Sequence, residues 1–407
     1  GWGANGNDNV GNYNIYSTYR ANGTASYYNI AGSSNTESQA GYHKYKLGNP
    51  NARWESTTTS NIGLDVRFFK NKFAASLDVY TRKTKDMLYP DSRPSTWGRV
   101  VLPSINVGEM KNNGWDLMLS YRGGSKNDFR YVVSANLSHY RNKVVALNNN
   151  SAEILYGSTI RNEVFTATKK GEPVSSFYGY MVDGIFNTQA EVDAWPKYSP
   201  DINGADRYSM PGVLKFRDVN GDGVITADDR TFIGSPHPDL SYGLNFDLQY
   251  KNWDMTVFFQ GIQGNSIVNY ARRVTDFKHF ANNRSKARLY ESWTQERYAN
   301  GSKITLPIAL SSEHDVIMQN ASSFFVEDGS YFRMKDLQIG YTLPASLNSR
   351  WKTDNIRLYL QATNLFTLTK YSGLDPEIRQ SSDRQIGVDV GIYPTAQMFM
   401  FGINLNL

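Results

Sequence analysis

"SYGLNFDLQYKNWDMTVFFQGIQG", residues 241–264, alternates with a period of two. Tyr242, Leu244, Phe246, Leu248 and Tyr250 fall on one side, with Gly243, Asn245, Asp247 and Gln249 on the other. Lys251-Asn252 is a polar turn. Trp253, Met255, Val257 and Phe259 then resume the apolar side, opposite Asp254, Thr256 and Gln260. Successive side chains of a strand point to opposite faces, so the stretch is predicted to be a hairpin with one apolar and one polar face.

The same pattern recurs along the chain. Ile62, Leu64, Val66 and Phe68 alternate with Gly63, Asp65 and Arg67. After a turn at Lys70–Lys72, Phe73, Ala75, Leu77 and Val79 follow. Trp115 to Tyr121, Val133 to Leu137, Ile356 to Ala362 and Phe399 to Leu407 repeat the pattern. About twelve strands are expected in all. Two solvents suit such ribbons: the interior of a soluble β protein or the hydrocarbon of a bilayer. Strands of about nine to eleven residues suit a tilted bilayer crossing. Short turns contrast with polar excursions over 142–239 and 264–330, and aromatics gather at strand ends (Trp115, Tyr121, Tyr242, Tyr250, Trp253). Both features belong to transmembrane barrels.

Composition narrows the class further. Aromatics make up 14% of the 407 residues, led by 27 Tyr, which suits strands and wet–dry boundaries. With no cysteine there is neither a disulfide nor a thiolate metal site. The +5 net charge is scattered and forms no basic stripe, so no nucleic-acid partner is expected. No run of 18 apolar residues offers a membrane helix. The chain opens on Gly rather than Met and carries no leader pattern, as though it were cut from something longer.

Six strings together resemble one family. They are "NVGEMKNNGWDLMLSY" (106–121), "FRDVNGDGVITADD" (216–229), "IGSPHPDLSYGLNFDLQYKNWDMTVFFQG" (233–261), "YFRMKDLQIGYTLP" (331–344), "LYLQATNLFTLTKYSGLDPE" (358–377) and "YPTAQMFMFGINLNL" (393–407). The chain resembles the C-terminal part of a SusC/RagA-type TonB-dependent outer-membrane transporter, over roughly 45–407. The resemblance implies an all-β fold: about half of a large antiparallel transmembrane barrel, about 22-stranded in the family, with long extracellular loops. It implies a multi-pass protein in the outer membrane of a Gram-negative bacterium, importing an oligosaccharide or a peptide. The partners it implies are a SusD-like surface lipoprotein acting as lid, the TonB complex working through the missing N-terminal part, the remaining N-terminal barrel with its plug, and membrane lipids. The final strand, ending on Leu407, resembles the terminal signal read by barrel-assembly machinery.

The expected order is a loop or ribbon region leading into the barrel (1–60), barrel strands (61–141), a long extracellular loop region (142–239), a barrel hairpin (240–263), a loop with a short helix at 284–299 (264–330), and C-terminal barrel strands (331–407), with no plug. Lumen-facing residues are expected to be Asp65, Arg67, Asp116, Arg122, Asn245, Asp247, Gln249, Thr256 and Gln260. Within the first loop, Asp218, Asn220, Asp222, the Val224 carbonyl and Asp229 take positions 1, 3, 5, 7 and 12 of a Ca²⁺-loop pattern, with Gly223 at the turn. A bound Ca²⁺ there would be structural. A metal-free turn, built by Asp and Asn bonding their own backbone, reads equally well from these residues. No other cofactor is expected. The five histidines are dispersed, no nucleophile or nucleotide motif is present, and no catalytic residue is expected. Loop aromatics Tyr178, Tyr180, Trp195 and Tyr198 suit either sugar stacking or loop packing, so substrate contacts stay unassigned. The alternative function is a non-transporting surface β protein, an adhesin or carbohydrate-binding module.

Overall fold

The structure is a computed structural model. It describes residues 1–7, 14–21, 27–29, 38–90, 100–125, 129–147, 153–161, 163–199, 209–277, 283–310, 320–350, 353–378 and 382–406. Ten strands form one antiparallel sheet in chain order: β1 Trp2–Asn7, β2 Glu55–Phe68, β3 Phe73–Lys85, β4 Gly108–Gly124, β5 Phe129–Leu147, β6 Leu240–Tyr250, β7 Trp253–Gln263, β8 Tyr331–Thr342, β9 Asn355–Thr369 and β10 Met398–Asn406. The barrel sheet thus holds ten strands among the described residues, against the about twelve expected for it. β1 and β10 each keep one unpaired edge, so the sheet is an open part of a barrel.

Register places the alternation on two continuous faces. Leu64, Leu77, Leu117 and Leu137 stand opposite one another across β2 to β5, and the row continues through Tyr242. Leu64 is 60% exposed and Phe401 64%, while Phe246 is half-buried, opposite Val133 and Val257 and edge-on to the Phe259 ring. Among the described residues no second sheet covers this face: the main buried apolar cluster contains none of its residues. An apolar face this extensive, left open by the protein, suits hydrocarbon as its solvent.

Several strands exceed the expected nine to eleven residues. β4 has 17 and β5 has 19. At about 3.3 Å per residue a 19-residue strand spans about 60 Å, well beyond a 30 Å hydrocarbon core even at a 45° tilt. The surplus lies on the long-loop side, because opposite ends such as those joined at 69–72 and 251–252 close in tight turns. At 69–71, three consecutive non-glycine residues take positive φ (54°, 56° and 66°) to reverse the chain.

Above the sheet, the excursions fold into a cap. One four-stranded sheet joins Ile154–Tyr156, Thr166–Lys169, Ser176–Tyr180 and Arg230–Gly234; a three-stranded one joins Ser266–Asn269, Val326–Asp328 and Val388–Asp389. The cap therefore draws on a third excursion, 370–397, as well as on the two long ones. Its core holds Phe165, Phe177, Tyr180, Phe216, Ile225, Val268, Phe277, Phe325 and Val388. Helix α1 is Gln189–Ala194 and α2 is Tyr270–Thr275. The single helix expected over 284–299 is two: α3 Lys286–Tyr290 and α4 Gln295–Ala299. Ser285 caps α3 and Thr294 caps α4, and the Thr294 cap requires an extended residue where the continuous helix would have run. In a single helix over 284–299, Leu289, Tyr290 and Trp293 would share roughly one face, and the break between α3 and α4 separates them. Trp293 is buried, while Leu289 and Tyr290 stay exposed.

Candidate functional site

All nine residues expected to line a lumen lie on the second face of the sheet, by register with one another and with their neighbours. Six of them, Asp116, Asn245, Asp247, Gln249, Thr256 and Gln260, join a cross-strand polar lattice. Thr256 Oγ1 donates to Asp247 Oδ1 at 3.0 Å, and Asn245 Nδ2 donates to the other oxygen at 2.6 Å. Ser138 Oγ donates to Asp116, Arg130 to Gln249, and Gln260 Nε2 to the Tyr331 hydroxyl at 3.3 Å. Gln361 Nε2 donates to Asp336 Oδ1 at 2.6 Å. Such mutual satisfaction fixes the side chains while leaving spare lone pairs and N–H groups toward the open side.

Several members of this lattice, among them Arg130, Ser138, Asp336 and Gln361, were not among the nine expected residues, and Arg357 is the most connected of them. Arg357 on β9 reaches across β8 to Asp254 on β7, with Nε donating to Oδ1 at 2.9 Å, and also bonds Gln338 on β8 at 2.8 Å. It crosses at Gly340, where any Cβ would strike its guanidinium. The signal was legible: an isolated glycine inside a strand marks a close approach.

At the rim, Arg333 is 3% exposed and binds Asp375, Glu377 (2.8 Å) and Thr367 (2.8 Å). Asp375 also accepts the Thr395 amide at 3.0 Å. Burial opposes ionisation of Asp375, but Arg333 and the Thr395 and Glu377 amides outweigh it and hold the carboxyl below its ordinary range. This buried ion pair ties the third excursion to β8.

The four loop aromatics belong to the cap's packing. Tyr180 stacks on Phe216 at 4.7 Å and is fully buried. The Tyr198 hydroxyl donates to the Leu214 carbonyl and accepts from the Phe216 amide at 2.9 Å, and burial raises its pKa. Trp195 Nε1 donates to the Phe216 carbonyl at 2.8 Å, and Tyr178 packs between Tyr156 and Phe232.

The 218–229 loop is self-bonded. Asp218 accepts the Gly221 and Gly223 amides (2.6 and 2.8 Å), which hold its carboxyl below the ordinary range. Asn220 Oδ1 accepts the Asp222 amide, and Asp222 Oδ1 accepts the Val224 amide. Asp229 is fully buried and bonds the Val219 and Thr226 amides. Gly223, at the turn position, has φ +83°. Among the described residues no group of three or more His, Cys, Asp or Glu side chains is gathered as a metal site. Asp229 is saturated by the Val219, Asn220 and Thr226 amides and the Thr226 hydroxyl, so only Asp218 and Asp222 keep carboxylate lone pairs outside these bonds.

Between cap and lumen face lies a cavity of about 740 Å³. Tyr80, Arg82, Asn112, Tyr140 and Asn142 of the sheet form one side, with Tyr89, His237 and Arg384 of the loops across from them. Arg384 lies 5.0 Å from the Tyr89 ring centroid. His237 Nε2 faces the Val174 carbonyl at 2.8 Å and so carries the proton, leaving Nδ1 to accept from the Tyr140 hydroxyl at 3.1 Å.

Comparison with known proteins agrees with this geometry. The family model "TonB dependent receptor-like, beta-barrel" matches residues 7–365. TonB-dependent receptor P3 of Formosa agariphila is 32% identical over the whole chain, which covers 38% of that receptor. TonB-dependent receptor SusC of Bacteroides thetaiotaomicron is 27% identical, again over the whole chain and 37% of the relative. Among solved structures, that of the RagAB peptide transporter superposes over the whole chain and 40% of its own, with a TM-score of 0.76 at 26% identity. The chain thus spans about two fifths of the relatives it matches.

Proposed function

The chain belongs to the TonB-dependent receptor-like β-barrel family, in the C-terminal part of an outer-membrane barrel, and from that premise we propose that it forms the lumen wall and extracellular cap of an active nutrient importer. The single observation that carries this reading is the two-faced sheet, with apolar residues on the open outer side and a bonded polar lattice on the other. A solute moving along that lattice exchanges hydrogen bonds with water for hydrogen bonds with Asp, Asn, Gln and Arg side chains at little net cost. The family is one of transporters.

The cargo is an oligosaccharide or a peptide, held first in the 740 Å³ cavity, where tyrosine faces and amide side chains suit either. A SusD-like surface lipoprotein closes over the cap, and TonB drives release through the N-terminal part that this chain does not contain. The test uses the full-length protein in its own cell. Deleting its gene abolishes uptake of the cognate labelled oligosaccharide or peptide pool, uncoupling TonB does the same, and a lipoprotein co-purifies with the barrel. Unchanged uptake of every pool on deletion would instead favour a surface adhesin or carbohydrate-binding module.

The 218–229 loop takes one Ca²⁺ as a structural clip in this proposal. Gly223's positive φ and the unused carboxylate lone pairs of Asp218 and Asp222 support it. Calcium added to chelator-stripped protein then raises the melting temperature of the cap, and Asp218→Asn/Asp222→Asn abolishes the rise. A melting temperature indifferent to calcium rejects the ion and leaves the Asx turns as the whole explanation.

A further inference from the structure

On the outer face, three lysines stand in register on adjacent strands. Lys83 of β3 is directly opposite Lys111 of β4, and Lys111 is directly opposite Lys143 of β5. Lys85 and Arg141 belong to the same alternation, two residues away on β3 and β5. Directly opposed side chains have Cβ atoms about 4.5–5.5 Å apart, and like charges there repel. Within this group Lys83 forms an ion pair with Glu109 at 2.7 Å, and the same carboxylate interacts electrostatically with Lys85.

The row sits at a telling height. Four residues along β4 from Lys111 is Trp115, whose ring meets that of His139 at 5.9 Å. The all-leucine row lies just beyond. Four residues are about 13 Å along a strand, or about 9 Å of depth at a 45° tilt. The lysines therefore stand just above an aromatic girdle, on the side of the long extracellular loops, at the level of headgroups.

We propose that Lys83, Lys111 and Lys143, with Lys85 and Arg141 beside them, bind the phosphate of an outer-leaflet glycolipid. A phosphate oxyanion relieves the repulsion along the row and accepts N–H donors from two or three side chains at once. The acyl chains continue down the apolar rows of Leu64, Leu77, Leu117 and Leu137. This assignment rests on the bilayer placement of the sheet and is independent of the cargo.

The full-length protein, delipidated in neutral detergent, is titrated with phosphorylated lipid A, with the same lipid dephosphorylated, and with inorganic phosphate, and bound lipid is counted by native mass spectrometry. The wild type is expected to hold the phosphorylated form at least tenfold more tightly than the dephosphorylated one. Lys83→Gln/Lys111→Gln/Lys143→Gln loses that preference, whereas Lys44→Gln/Lys46→Gln/Lys303→Gln, an equal charge change outside the sheet, keeps it. Should the triple variant fail to assemble, Lys111→Gln alone, at the centre of the row, reduces the preference measurably. The assignment is overturned if wild type does not discriminate between the two lipids, if the row variants retain full discrimination, or if millimolar inorganic phosphate displaces the lipid.

Discussion

Phe246 and Gln249 lie three residues apart on β6 and meet different solvents. Phe246 packs edge-on against Phe259 on the outer face, and Gln249 takes a bond from Arg130 on the lumen face. Phe246→Arg places a charge at hydrocarbon depth and is expected to cost about 2–4 kcal/mol. Gln249→Ala removes one partly exposed hydrogen bond and costs about 0.5–1.5 kcal/mol. Urea titration of the full-length protein in lipid vesicles compares the two, and equal losses would refute the assignment of faces. In the cap, Tyr198→Phe strands the buried Leu214 carbonyl and Phe216 amide. It should lower cap stability by about 1–3 kcal/mol, read by protease resistance of the cap loops.

At the scale of elements, β7, β8 and β9 depend on a missing side chain. Gly340 lets Arg357 pass over β8 to Asp254. Gly340→Val should destabilise the sheet by about 1–3 kcal/mol, as overpacking does. The loss should shrink in Gly340→Val/Arg357→Ala, where the clash has no partner. A double-mutant cycle measures this, and strict additivity would place Arg357 elsewhere. The joint between β5 and the cap passes through His237, which links Tyr140 to Val174. Burial lowers the His237 pKa below its ordinary value, against the smaller opposing effect of the Val174 carbonyl. The unfolded chain then binds the proton more readily than the native one. The joint is accordingly firmest above about pH 6.5 and loosens as pH falls from there toward the native pKa. Melting temperatures from pH 8 to pH 5 should decline in the wild type and flatten in His237→Gln.

Across the whole molecule, the decisive feature is an open sheet. In hydrocarbon, every backbone N–H and C=O on the outer edges of β1 and β10 would be unpaired at several kcal/mol each. The chain expressed alone is therefore expected to give no heat-modifiable, detergent-resistant barrel, whereas the full-length protein should give one. Electrophoresis with and without boiling decides this. The cap follows a different rule. It gathers Phe165, Phe177, Tyr180, Phe216, Phe277 and Phe325 in a core of its own on the barrel rim, fixed there by Arg333, Asp375 and Glu377.

The alternation at 241–264, and its repeats, determined the existence of the barrel strands, their two faces and the facing of the nine lumen residues named from it, but not the strand lengths or the reach of Arg357. A period of two forces side chains apart whatever the partner strand, so this much is local. Even Gly340 announced a close approach, though not by what. Tertiary structure alone decided the rest. The cap core brings Phe165, Val268, Phe325 and Val388 together from three excursions, and the lysine row exists only because register sets residues 83, 111 and 143 side by side. Burial and register both depend on which distant segments meet, and no local period of the sequence encodes that meeting.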